Sequence, residues 1–129
     1  MQRIDCLSTK EIGEMSKYDN TVQFLKIVAK RLSGRTDCKQ TTYTISILST
    51  IEGKQIITIK PQIYIFPNKY DRKPSNRNSI LSYAAKKLNY SYTEVSSGRI
   101  VINTEELLSG VFEYRLSFDK RYRAWFKVE

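Results

Sequence analysis

Residues 41–66, TTYTISILSTIEGKQIITIKPQIYIF, decide the fold class. Apolar residues recur at every second position in both halves, which are separated by a Glu-Gly turn. Tyr43, Ile45 and Ile47 share one face of the first half, as expected of a strand with one buried side. The stretch therefore predicts an antiparallel hairpin, in which Pro61 marks an edge or a bend because proline cannot donate to a neighbouring strand.

Helical and alternating patterns surround this hairpin. Three- and four-residue apolar spacing predicts helices at 20–32, capped by Asp19 or Asn20 and ended by Gly34, and at 78–88, capped by Asn78 or Ser79 and stopped by Asn89. Beyond them we expect a hairpin at 90–95 and 99–103, a short helix at 104–112 and a third hairpin at 114–128. Such alternation predicts an α+β fold with helices packed on one face of a curved antiparallel sheet. Residues 1–18 are interpreted as an N-terminal arm and 19–129 as one nucleic-acid-binding domain.

The charge balance points to a polyanionic partner. The chain has 22 Lys and Arg against 13 Asp and Glu, a formal net charge of +9. The excess is concentrated in residues 54–99, where nine basic residues face only two acidic ones. Such a field attracts nucleic acid, DNA or RNA. We expect no membrane association, because the sequence contains neither a long apolar run nor a basic amphipathic helix with an aromatic face.

The candidate nucleic-acid-binding residues are the polar face of the first hairpin, the loop at 67–77 and nearby cations. They are Thr42, Thr44, Thr58, Lys60, Gln62, Tyr64, Lys69, Arg72, Lys73, Arg77, Lys86, Lys87 and Arg99. Cations neutralise phosphates, while hydroxyls and amides fix the register and aromatic rings can stack on unpaired bases. The alternative is an ordinary solvated sheet face, since Thr and Tyr favour strands in any case.

Basic and aromatic residues also interleave in the C-terminal tail. There Tyr122 or Trp125 could stack on bases, but we expect Trp125 to complete the core or an interface. A protein-interaction subunit with a basic surface is therefore an alternative function, with Trp125 and Phe126 as its docking edge.

The sequence shows no complete catalytic set. It has no histidine, which removes the commonest general base and metal ligand. Glu105 and Glu106 suit a helix start better than a reaction, and we predict no catalytic residue, no metal site and no cofactor. Two cysteines fit a reducing compartment. Ile, Lys, Tyr, Asn and Phe, which A/T-rich codons encode, are abundant. This composition suggests an A/T-rich genome, so we expect an intracellular protein of a mitochondrion, a phage-infected cell or a bacterial cytoplasm.

Four stretches resemble one half of a LAGLIDADG homing endonuclease. Three of them are ITIKPQIYIF at 57–66, SILSYAAKKLN at 79–89 and YTEVSSGRIVIN at 92–103. The fourth, LSGVFEYRLSF at 108–118, is similar to a decayed copy of the signature helix and the following strand, with Gly110 and Phe112 at its small and apolar positions.

The resemblance implies a saddle-shaped sheet lying on DNA, and a partner half that is either a second copy or a second protein chain. The family's metal-binding acid falls at Arg115, while Glu113 matches only an earlier acidic position. The helix around 25–32 could instead fill the signature slot, but it offers no acid either. An arginine repels Mg²⁺. The resemblance therefore implies a non-cleaving relative kept for binding DNA or RNA, for instance on a ribosome or an intron, with a Mg²⁺-dependent nuclease as the alternative.

Overall fold

The computed structural model of the chain describes residues 2–3, 15–35, 41–64, 74–116 and 123–128. Within these ranges, side chains are described for 16–32, 42–60, 78–115 and 125–128. The part of the predicted loop before residue 74 lies outside the described residues, as do both cysteines.

The described residues form two helices and one antiparallel sheet. In chain order the elements are β1 (Gln2–Arg3), α1 (Met15–Arg35), β2 (Thr41–Ser49), β3 (Gln55–Tyr64), α2 (Pro74–Lys87), β4 (Tyr92–Ser96), β5 (Arg99–Ile102), β6 (Gly110–Leu116) and β7 (Arg123–Val128). The seven described strands have the spatial order β1-β7-β6-β2-β3-β5-β4. The predicted α+β class with an antiparallel sheet is confirmed.

The first hairpin lies at the centre of the sheet. β2 pairs with β3, β4 with β5 and β6 with β7, which are the strand pairs that the alternating patterns predict. The last pair returns to the free side of β2, so that β2 lies between β3 and β6. The hairpin of β2 and β3 therefore has neighbouring strands on both sides and lies in the middle of the described sheet.

Alternate strand residues build the core. On the sheet face that we call the core face, the buried residues are Tyr43, Ile45, Ile47, Ile57, Ile59, Ile100, Ile102, Phe112, Tyr114 and Trp125. Buried residues of both helices, such as Phe24 and Leu81, belong to the same hydrophobic cluster. The opposite side, which carries Thr44, Thr58 and Lys60, is called the outer face below.

Both helices start earlier than predicted. α1 begins at Met15, so Asp19 and Asn20 lie inside the helix instead of capping it, and residues 15–18 belong to the helix rather than to an irregular arm. α2 begins at Pro74, because proline suits the first helical turn, where no N–H is needed. Residues 74–77 are therefore helix and not loop. The predicted stop at Asn89 is confirmed, since this residue has a φ of 61° and the Tyr90 N–H bonds back to the Ala85 carbonyl at 2.9 Å.

The short helix predicted at 104–112 is wrong. Residues 103–109 contain no helix, and strand β6 begins at Gly110. Two side chains from other elements hold this segment. Gln55 bonds both backbone groups of Leu107, and the Thr21 hydroxyl accepts the Leu108 N–H at 2.7 Å. These partners replace the bonds that a helical turn would supply, and the local helix-start signal is overridden.

Trp125 completes the core, as predicted. It is 4% exposed, and its indole N–H donates to the Leu25 carbonyl of α1 at 2.7 Å. On the far side of β7 the backbone pairs with β1. The interpretation of Trp125 and Phe126 as an open docking edge is therefore wrong for Trp125, whose ring is buried in the hydrophobic core.

Replacing Thr21 by Val should lower the free energy of unfolding by about 1–3 kcal/mol. The Thr21 hydroxyl donates to the Lys17 carbonyl at 2.6 Å and accepts from Leu108, so valine keeps the shape and leaves the buried Leu108 N–H without its acceptor. Urea denaturation measures the change. Thr21→Ser retains the hydroxyl and serves as the control, and an equal loss in both variants would show that the hydrogen bond is not the cause.

Candidate nucleic-acid interface

Strand register places polar and basic side chains in rows across the outer face. Two neighbouring rows consist of Glu113, Thr44 and Lys60, and of Ser46, Thr58 and Arg99. Because successive residues of a strand point to opposite sides, these side chains share the face that Ile45 and Ile57 avoid. The middle of the outer face is therefore hydroxyl-rich and carries two cations at the β3–β5 side.

A shallow depression of about 340 Å³ lies over these rows, lined by residues of β2, β3 and β5. Arg99 Nε donates to Thr58 Oγ1 at 3.1 Å, which holds the guanidinium against the sheet. Among the described residues, neither Lys60 nor Arg99 has an ion-pair partner. Both cations are exposed, so the depression presents an unneutralised positive rim next to hydroxyl groups.

Glu113 is the acid of the outer face, and it is held by Arg115. Arg115 Nε lies 2.6 Å from Glu113 Oε1, and the Glu113 residue is only 8% exposed. The guanidinium also stands 5.5 Å from the centre of the Phe126 ring. A charge-assisted hydrogen bond of this length engages the carboxylate strongly, so this pair is neutral, and Lys60 and Arg99 are the cations without an ion-pair partner that line the depression among the described residues.

One end of the outer face is apolar. Leu48 pairs with Ile56, and Ile56 pairs with Val101, along the row at the β2–β3 turn. Val111 and Val128 pair beside it. Leu48 is 61% exposed, Val111 39% and Val128 36%. The depression therefore joins an apolar border to a basic one.

Lys86 and Lys87 do not lie with the outer-face cations. They stand at the end of α2, where the Lys86 ammonium is 5.9 Å from the Tyr92 ring and the Lys87 ammonium is 5.5 Å from the Tyr83 ring. Tyr92 packs against the hydrophobic cluster, so these lysines occupy the side of the sheet that carries the core. The predicted site is thus divided between two sides of the molecule.

The bulge at Pro61 alters the rest of the predicted hairpin face. Tyr43 pairs with Pro61 but Thr42 pairs with Ile63, which leaves Gln62 without a partner in β2. An irregularity is thus present next to Pro61, and the backbone pairing of Gln62 and Tyr64 does not continue that of Thr58 and Lys60, since a bulge shifts the register by one residue.

The remaining predicted residues are placed only in part. Thr42 is 8% exposed and is therefore not an open contact. The side chains of Gln62, Tyr64 and Arg77 lie outside the described set, as do the whole of Lys69, Arg72 and Lys73. Ser46 was missed although it alternates with Thr44. Arg31 and Tyr83 were also missed, because the sequence carries no signal that brings α1 to α2.

The stretch interpreted as a decayed signature helix is a strand. Gly110–Leu116 is β6, in the interior of the sheet between β2 and β7. Gly110 has a φ of +155°. The interpretation of Gly110 and Phe112 as helix-interface positions is therefore wrong, and Phe112 instead belongs to the hydrophobic core.

No protein-family model, curated protein or solved structure matches this chain. Among the described residues, no group of three or more His, Cys, Asp and Glu side chains is placed to hold a metal ion. No helix in the described ranges is long and apolar enough to cross a membrane. Burial and the neighbouring Glu106 carboxylate raise the pKa of Tyr90 to about 12, but this tyrosine does not line the outer-face depression.

Proposed function

We propose that this chain is a nucleic-acid-binding protein that uses the outer face of its sheet and does not itself cleave the bound strand. In this proposal α1 and α2 both cover the core face, and the outer face is left for the ligand. The observation that carries it is a pair of cations, Lys60 and Arg99, that have no ion-pair partner in the described part of the chain and lie beside the hydroxyls of Thr44 and Thr58 in one depression.

The chemistry of the depression suits a phosphate backbone. Ammonium and guanidinium groups neutralise phosphates, and hydroxyl groups bond phosphate and sugar oxygens. The net charge of +9 adds long-range attraction to any polyanion. The saddle-shaped sheet on DNA that the LAGLIDADG resemblance implies is compatible with this surface. DNA and RNA are both candidate ligands. A role on a ribosome or an intron inside a cell is part of the same proposal.

A binding role is better supported than Mg²⁺-dependent cleavage. The nuclease alternative needs Glu113 as a metal ligand, and Arg115 already engages that carboxylate at 2.6 Å. A metal ion would have to displace a guanidinium that is itself placed over Phe126. We therefore assign Glu113 and Arg115 to the sheet surface as a neutral pair.

The salt dependence of binding tests the proposal. We expect the logarithm of the association constant for random-sequence duplex DNA to fall with the logarithm of salt concentration with a slope of about −1.8 or steeper, since two or more phosphates are neutralised. Fluorescence anisotropy with labelled duplex DNA, single-stranded DNA and single-stranded RNA gives the slopes. A flat response, or no binding at low salt, would overturn the proposal.

A salt series with a candidate protein ligand would distinguish the alternative of a protein partner. The exposed Leu48, Val111 and Val128 favour docking of a protein at the apolar end. Such docking depends on apolar burial and persists at high salt, in contrast to the counterion release that accompanies phosphate contacts. A protein ligand would therefore be recognised by tight binding with little salt dependence.

A further inference from the structure

A second basic surface lies on the other side of the sheet, in a cleft between α1, α2 and β4. Its volume is about 310 Å³. Arg31 comes from α1, Tyr83 and Lys86 come from α2, and Tyr92 comes from β4. The cleft is therefore built by three elements that are distant in sequence.

Arg31 lines this cleft, and its Nε has no hydrogen-bond partner among the described residues. Its guanidinium carbon lies 4.1 Å from the centre of the Tyr83 ring. Arg31 Nε is buried and has no hydrogen-bond partner within the described part of the chain. A buried donor left unpaired is costly, and an oxygen of a bound anion would satisfy it.

Lys86 lines the same cleft, and Lys87 stands beside it over the ring of Tyr83. The Lys86 and Lys87 ammonium groups stand within 6 Å of the Tyr92 and Tyr83 rings, at 5.9 and 5.5 Å. Counted over the described residues, Arg31, Lys86 and Lys87 have no ion-pair partner. Cations held over aromatic rings but not neutralised by carboxylates are suited to binding a phosphate group.

Glu94 opposes this charge and makes a sharp test possible. It lines the cleft, and its Oε1 accepts a hydrogen bond from the Ser82 hydroxyl at 3.2 Å. Among the described residues, Arg31 and Lys86 line the cleft and Lys87 stands beside it, so the cations outnumber this carboxylate and the cleft is positive. A glutamine at this position would keep an acceptor for Ser82 and remove the negative charge.

The cleft and the outer face meet at the β4–β5 edge of the sheet. Gly98 lies in the turn between β4 and β5, and the next residue, Arg99, begins β5 and lines the outer depression. The Gly98 N–H donates to Asn78 Oδ1 at 2.7 Å, and the next residue, Ser79, lines the cleft. β4 is the terminal strand of the described sheet, so a single strand, about 4.8 Å wide in the sheet direction, separates β5 from the edge.

We propose that a single-stranded polynucleotide passes from the outer face around the β4 edge and places a backbone phosphate in the cleft of Arg31, Lys86 and Lys87. The inference rests on the proposed function and narrows its ligand to a single strand. A duplex has a persistence length of about 150 base pairs and cannot turn around one strand of a sheet. A flexible single strand can follow both basic surfaces.

The test compares single-stranded and duplex ligands on the full chain. The variant Lys86→Gln with Lys87→Gln should weaken binding of a single-stranded RNA of about 15 nucleotides by about 25-fold at about 0.1 M salt, because both ammonium groups contact phosphates in this proposal. Duplex binding should change little. Glu94→Gln should tighten single-strand binding by up to about fivefold, the effect of one unit of charge. A gain in affinity cannot result from partial unfolding.

A charge-matched control and two competitors complete the experiment. Lys26→Gln with Lys54→Gln removes the same charge from exposed positions that line neither basic surface, and this pair should change affinity far less. The proposed role of the cleft would be refuted if the Lys86→Gln, Lys87→Gln variant lost equal affinity for single strands and duplexes. It would also be refuted if that variant bound normally while replacement of Lys60 and Arg99 by Gln weakened binding. Either result would leave the proposed function standing. No polynucleotide binding by the unaltered protein would overturn both. Inorganic phosphate and a mononucleotide are titrated alone, and the inference also fails if either binds the cleft as tightly as the oligonucleotide.

Discussion

Neutralising Lys60 and Arg99 together should weaken polynucleotide binding by about 25-fold for a single strand and about 60-fold for a duplex at about 0.1 M salt. The two side chains border one depression and have no ion-pair partner among the described residues. Each phosphate contact that is lost also removes the release of its counterions, so the logarithmic salt slope should become shallower by about 1.4 to 1.8. Anisotropy titrations of Lys60→Gln with Arg99→Gln at several salt concentrations measure both quantities.

The control for this variant removes the same charge elsewhere. Lys26→Gln with Lys54→Gln lowers the net charge from +9 to +7 as well, but on exposed residues away from the depression. If the two double variants lost equal affinity, binding would follow net charge alone and the outer face would not be the interface. Thermal unfolding of each variant should show that the fold is retained, since all four positions are exposed and surface substitutions change stability little.

Local patterns in the sequence predict much of this fold. The alternation of Tyr43, Ile45 and Ile47 identifies a strand and also the face that is buried, because side-chain direction along a strand depends only on position. Asn89 identifies the end of α2, because asparagine tolerates the left-handed conformation that this end requires. In each case the decisive interaction lies within a few residues of the signal.

The errors occur where distant residues decide the conformation. The segment before β6 contains a good helix start in Thr104 and Glu105, yet Thr21 and Gln55 hold it in a non-helical form. Pro61 marks a bend, but only the pairing with β2 shows that Gln62 is the bulged residue. Propensity is weak compared with such tertiary contacts.

The candidate site is predicted in the same uneven way. Thr44, Thr58, Lys60 and Arg99 are found together because strand alternation and the turn between β4 and β5 place them on one face. The charge of the 54–99 segment does not show that Lys86 and Lys87 lie on the other side of the sheet. Their position depends on how α2 packs with α1 and β4, which no single segment encodes.

Replacing Gln55 by Ala should have the largest effect on stability of the single substitutions considered, a loss of about 3–5 kcal/mol in the free energy of unfolding. Gln55 is fully buried. Its amide nitrogen donates to the Leu107 carbonyl at 2.7 Å and to Ser49 Oγ at 3.1 Å, and its oxygen accepts the Leu107 N–H at 3.2 Å. Alanine would leave a cavity and two buried backbone groups of Leu107 without partners. Chemical denaturation followed by circular dichroism measures the loss.

The matched control is Gln23→Ala, which makes the same chemical change at an exposed position of α1 and should alter stability by no more than about 0.5 kcal/mol. Hydrogen exchange at the Leu107 and Leu108 amides should accelerate in the Gln55 variant, since Gln55 and Thr21 supply their acceptors. A loss as small as that of the control would show that the segment is held by other contacts. Loss of the Gln55 hydrogen bonds should also affect the proposed interface. Residues 103–109 lead directly into β6, so their position helps to set the register in which Glu113 lies opposite Thr44. A variant that stays folded but releases the segment should therefore bind polynucleotide more weakly, although every outer-face residue is unchanged.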